Sequence, residues 1–102
     1  MIHVIAEIDI NEGRREAFLE EFNRVVPLVL DEDGCIEYGA TIDARTGIER
    51  QAPLRDHSVT IVEKWSGIDA LQAHLDSEHM ASYRERVKDL VAGATLRILE
   101  PA

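Results

Sequence analysis

Ile2, Val4, Ala6, Ile8 and Ile10 occupy alternate positions, with His3, Glu7 and Asp9 between them. A period of two buries one face of a strand, so residues 2–10 read as the first strand. Asn11-Glu12-Gly13 breaks the alternation, and the spacing then becomes helical. Phe18, Phe22, Val25, Val26 and Val29 fall on one stripe, while Glu16, Glu20, Glu21 and Arg24 lie elsewhere around the helix. Pro27 lacks an N–H and clashes with the preceding turn, which predicts a kink or loosening. Asp33-Gly34 signals a turn. Ile36, Tyr38, Ala40 and Ile42 then alternate with Glu37, Gly39, Thr41 and Asp43, giving a second strand. A third strand covers Ser58 to Trp65, with Val59, Ile61, Glu63 and Trp65 on one face and Thr60, Val62 and Lys64 on the other.

Ser66, three residues before Asp69, has the spacing of a capping box, and a short helix should follow with Ile68, Leu71 and Leu75 inward. Asp76 or Ser77 can cap another helix, whose stripe is Met80, Tyr83, Val87, Leu90 and Val91. Gly93 is placed to end it in a left-handed conformation. Thr95 to Leu99 reads as the fourth strand, stopped by Pro101. The order is β-α-β-β-α-β with the second helix split. That order is α+β and ferredoxin-like: an antiparallel sheet with its helices on one face. The opposite face would present Ile5, Val62 and Leu99, so a second copy is expected to cover it in a twofold homodimer.

The chain has 102 residues, which is one domain over 1–102 with a modest core that a partner subunit would help to complete. Eleven basic residues against 20 acidic ones give a net charge of -9. Such a surface repels phosphate backbones and anionic lipid, so no nucleic acid and no membrane partner is expected. No apolar run approaches the length of a bilayer span. Cys35 is the only cysteine, which rules out an intrachain disulfide, and Met1-Ile2-His3-Val4 opens no basic leader. A cytoplasmic location is the expectation.

The chain carries no Gly-rich nucleotide loop, no His-Glu-x-x-His, no clustered cysteines and no Gly-x-Ser-x-Gly elbow. His74 and His79 lie five apart across the helix break at Asp76-Ser77, a spacing that gives no support for a metal pair. No metal is therefore expected. His74, at the edge of the Ile68-Leu71-Leu75 stripe, can point an imidazole into a cavity as a general base. Its structural alternative is a histidine bonded to a backbone carbonyl or to Glu63. His79 and Tyr83 share one side of the next helix, and could contact a substrate or serve as boundary and core residues. Trp65 is either a pocket wall or the core's largest anchor. Glu63, on a buried face, needs a partner or a shifted pKa.

The run Glu63-Lys64-Trp65-Ser66-Gly67-Ile68-Asp69-Ala70-Leu71, continued by His74-Leu75-Asp76-Ser77-Glu78-His79, resembles the antibiotic biosynthesis monooxygenase family. So do Gly13 with Glu16-Ala17-Phe18, and Gly34-Cys35-Ile36-Glu37-Tyr38. The resemblance implies a dimeric α/β barrel with a small apolar pocket between sheet and helices. It also implies oxidation of a small aromatic quinol or phenol by O2 with no cofactor. His74 would be the base, Trp65 and Tyr83 the pocket wall, and His79 and Glu63 polar substrate contacts. Isomerisation of an enolisable metabolite uses the same parts, and a non-catalytic, stress-related ligand-binding dimer would keep the fold alone. Haem degradation ranks lower, because the first strand has no asparagine. The connection from Ala44 to His57, with Arg45, Arg50 and Arg55, is longer than the family's hairpin turn and suggests a lid or an arm.

Overall fold

The computed structural model describes residues 1–102. Seven elements follow in order: β1 (Ile2–Ile10), α1 (Arg15–Leu30), β2 (Cys35–Thr41), β3 (Ser58–Trp65), α2 (Ile68–Leu75), α3 (Glu78–Val87) and β4 (Val91–Leu99). The four strands form one antiparallel sheet in the order β2-β3-β1-β4. The fold is the α+β, ferredoxin-like one expected from the sequence. No helix is long and apolar enough to cross a membrane.

Alternation and register agree on the inner face of the sheet. Ile2 faces Trp65, Val4 faces Glu63 and Ala6 faces Ile61 across the β1–β3 ladder, and all six are buried. Phe18, Phe22, Val25 and Val29 bring the apolar stripe of α1 onto this layer, and none of the four has any exposed surface. Burying each phenylalanine contributes about 1.5–3 kcal/mol of transfer free energy. Phe22 stacks on Tyr38 with ring centroids 5.3 Å apart, which locks α1 to β2.

The opposite face of the sheet is mixed. Ile5 and Val62 pair side by side in its middle, half-buried, and Leu99 lies exposed at the β4 edge among His3, Glu7, Lys64 and Arg97.

The helix of Pro27 runs uninterrupted to Leu30, with the proline on its exposed side. There the carbonyl that loses its partner can be hydrated, so no break is needed. Three local expectations are corrected, at Ser66, Ile68 and Gly93. Ser66 does not cap α2; Gly67 takes the N-cap position with no side-chain bond. The Ser66 N–H instead donates to the Gly34 carbonyl at 2.8 Å. Ile68, expected inward, is exposed, and the buried side of α2 is carried by Leu71 and His74.

The largest difference is at Gly93. α3 ends at Val87, and Gly93 lies inside β4 opposite Asp9. Pairing all of β1 requires a strand of nine residues, so Val91 leaves the helical stripe to face Ile10. Ala92 is the extra residue of a bulge where the register shifts. Tertiary pairing overrides the local helical pattern.

Candidate active site

A cavity of about 440 Å³ lies between the inner face of the sheet and the helices. Its closed end is formed by Phe18, Tyr38, Glu63 and His74, all buried, with Tyr83 along one side. At the other end it is lined by Ala94 and Leu96 of β4, both exposed, so the cavity opens toward that strand. Most of its lining is apolar.

His74 occupies the last turn of α2, where the helix presents it beside Leu71 to the core. It is 1% exposed. Its Nδ1 lies 2.9 Å from Oε2 of Glu32, which belongs to the turn after α1. An ionised carboxylate only accepts, so Nδ1 carries the proton and Nε2 keeps a lone pair in the neutral ring. Nε2 makes no hydrogen bond, yet no fully buried side-chain nitrogen lacks a partner. Nε2 therefore retains access to space, and the space His74 borders is the cavity. Burial lowers the pKa of His74, with the Glu32 hydrogen bond and charge opposing that shift. The imidazole is held neutral near pH 7 and ready to accept a proton.

Glu32 also accepts from His79 Nε2 at 2.8 Å. One carboxylate oxygen thus joins two histidines from two helices. The link between those helices is only Asp76 and Ser77. Ser77 Oγ donates to the His74 carbonyl at 2.8 Å and accepts from the Met80 N–H, capping α3 as the sequence suggested. Gly34, with φ +80°, sets the turn that carries Glu32. A Cβ there would stand 2.5 Å from Ser66 Oγ and 2.6 Å from the Ala70 Cβ, so no other residue fits without movement.

Glu63 lines the cavity and accepts from Trp65 Nε1 at 2.9 Å. Burial pushes its carboxyl up to about 7, against the lowering effect of that hydrogen bond. The same cause raises the phenols of Tyr38 and Tyr83, which stay protonated as donors.

Trp65 lies behind His74, ring centroids 4.6 Å apart, fully buried and outside the cavity lining. His79, with its side chain 27% exposed, turns to Glu32 and also lies outside the lining. Of the five residues singled out in the sequence, the cavity collects His74, Glu63 and Tyr83. Glu32 was missed: in Asp31-Glu32-Asp33 it looks like any solvated turn, and only contacts 42 and 47 residues away mark it. The connection from Ala44 to His57 contributes nothing to the lining. It is tied down by Arg55, which holds Asp43 at 2.8 Å and keeps that carboxyl down at about 2.

The family model for antibiotic biosynthesis monooxygenases matches residues 1–86. The chain belongs to that family. The family assignment is reinforced by a relative described as the probable quinol monooxygenase YgiN of Escherichia coli K12. It is 41% identical over 103 residues, covering 99% of this chain and 98% of the relative. Among solved structures, PA3566 of Pseudomonas aeruginosa superposes with a TM-score of 0.81 at 23% identity, covering 99% and 93% of the two chains. A conserved protein of Methanosarcina mazei Go1 does so at 0.84 and 19%, covering 99% and 92%. These two similarities, at 23% and 19% identity, show the fold alone.

Proposed function

We propose that this monooxygenase-family protein oxidises a small quinol or related phenol with O2, using His74 as the base and no cofactor. The observation that carries the reading is His74 itself, with Nδ1 tied to Glu32 and a free Nε2 opening on an apolar cavity. Nε2 removes a phenolic proton, and Glu32 stabilises the imidazolium that forms. The quinolate passes one electron to O2, and the resulting radical and superoxide combine at a ring carbon. The imidazolium returns its proton to the peroxide. Loss of water then leaves a hydroxyquinone, so one quinol and one O2 give one hydroxyquinone and one water. The dry cavity favours these steps by excluding water from the anion. Tyr83 and Glu63, which line the cavity, are the proposed contacts to the substrate oxygens, while Trp65 and His79 act from behind, fixing Glu63 and Glu32.

The cavity end left open by β4 supports a homodimer. Leu96 and Ile98 turn toward the helix side of the sheet, 49% and 48% exposed, and Leu99 lies exposed on the other side. A second copy of this chain would bury them and narrow the mouth.

One observation favours a second reading. Glu63, close to half-ionised at pH 7, shares the cavity with a neutral imidazole. An acid and a base facing one pocket also suit isomerisation of a small enolisable metabolite. The test is incubation of chelator-treated, flavin-free protein with a panel of quinols under O2, measuring oxygen uptake and product mass. Turnover above buffer with gain of one oxygen atom supports oxidation. Tight binding of a quinol with no oxygen uptake across the panel sinks it, in favour of isomerisation or a binding role.

A further inference from the structure

We propose that Glu32, His74 and His79 form a binding site for one divalent first-row transition-metal ion, and that filling it switches off His74 as a base. The second clause rests on the assignment of His74 made above; the first does not.

The three donor atoms are Glu32 Oε2, His74 Nδ1 and His79 Nε2, all within 4.8 Å of one another. Two of the three separations are 2.9 and 2.8 Å. Ligands about 2.0–2.1 Å from a zinc ion in a tetrahedron stand roughly 3.3 Å apart, so small side-chain rotations open the required hole. Two imidazoles and one carboxylate suit zinc, iron(II), cobalt or nickel better than calcium or magnesium. Each ligand sits on a fixed piece of backbone: the Gly34 turn, the last turn of α2 and the first turn of α3. His79 and Glu32 are partly exposed, leaving a path for the ion and room for water as a further ligand. The formal charge of -9 raises the local concentration of cations.

The site lies on the far side of the His74 ring from the cavity, since Nδ1 faces Glu32 while Nε2 faces the pocket. A metal on Nδ1 needs the lone pair there, so the ring proton must move to Nε2. His79 likewise shifts its proton from Nε2 to Nδ1. No electron is transferred and no bond beyond the coordination bonds is formed. The nitrogen facing substrate then presents a proton, and it can no longer accept one. Metal binding and base catalysis compete for the same imidazole through its opposite edges.

The experiment titrates zinc chloride into the chelator-treated full chain by calorimetry. One ion per chain is expected, with affinity reduced about tenfold or more in His79→Ala and in Glu32→Gln, and unchanged in the surface control His57→Ala. Because the side chain of His79 is partly exposed, His79→Ala should fold, and circular dichroism checks that it does. Nitrogen NMR of the imidazoles gives a second readout: zinc should move the His74 Nδ1 signal and leave Nε2 protonated. Absence of saturable binding at micromolar zinc overturns the site, as does binding that neither substitution weakens. Quinol turnover should fall with zinc and return with chelator, and His79→Ala should need about tenfold more zinc for the same inhibition. Stoichiometric zinc with undiminished turnover would leave the site standing and overturn its hold on His74. A chain that binds zinc but turns over no quinol refutes the quinol-monooxygenase reading alone.

Discussion

β3 and β4 belong to one sheet, and both turn alternate residues toward the helices, yet they meet opposite surroundings. Val59, Ile61, Glu63 and Trp65 of β3 are all buried on the helix side of the sheet. Leu96 and Ile98 of β4 lie about half exposed because the helices stop short of that edge. The difference explains where the chemistry sits. The covered half removes water from His74 and Glu63 and so shifts their pKa values, while the open half leaves a way in. Neither half alone makes a usable site: a fully covered sheet has no entrance, and an uncovered one cannot perturb a titratable group.

The sharpest test of the covered half is His74→Ala, which should lower kcat/KM for the quinol about 10²- to 10⁴-fold. A change below threefold in steady-state kinetics breaks the assignment of the base. Packing gives the next contrast. Phe22→Ala should cost about 3–5 kcal/mol in urea unfolding, whereas Leu96→Ala on the open strand should cost under about 1 kcal/mol in dilute protein. Equal costs would mean that the two halves are not differently packed.

Glu63 offers a pH test of the same comparison. Folding moves a carboxyl from an ordinary value of 4.5 to a site where it ionises only near 7. The folded state therefore binds the proton more tightly. The contribution of Glu63 to stability is full below about pH 4.5 and is lost as the pH rises from there through 7, by on the order of 3 kcal/mol. Glu63→Gln should flatten that part of the profile and stabilise the chain at pH 8, as measured by thermal unfolding. An unchanged slope would show that Glu63 is better solvated than its burial implies. The mildest effect on the protomer itself is expected from Leu96→Asp with Ile98→Asp. Sedimentation should report a dimer becoming a monomer, with circular dichroism unaltered; a wild-type chain that already sediments as a monomer removes the dimer.

Much of the covered half was readable from the sequence, because strict alternation in β1 and β3 and the Phe18–Phe22–Val25–Val29 stripe each have one period and one meaning. The edges were less readable. Leu90 and Val91 continue a helical stripe, and only the demand of β1 for a nine-residue partner turns Val91 into a strand residue. The position of His74 came from its motif and its place on α2. Periodicity assigns a face but not a depth, which is why Trp65, on the right face, lies behind the imidazole rather than on the cavity. Glu32 had no local signal at all, since its role consists of contacts to residues far along the chain.

The crowding around Gly34 carries a lesson for anyone reading variants of this protein. That position touches no ligand, yet a single added methyl would push against Ser66 and Ala70 and tilt the turn whose neighbour steers the imidazole. In a mutational scan Gly34 would score like an active-centre residue although it takes no part in the chemistry. Sensitivity in such a scan marks what the site leans on as much as what does its chemistry.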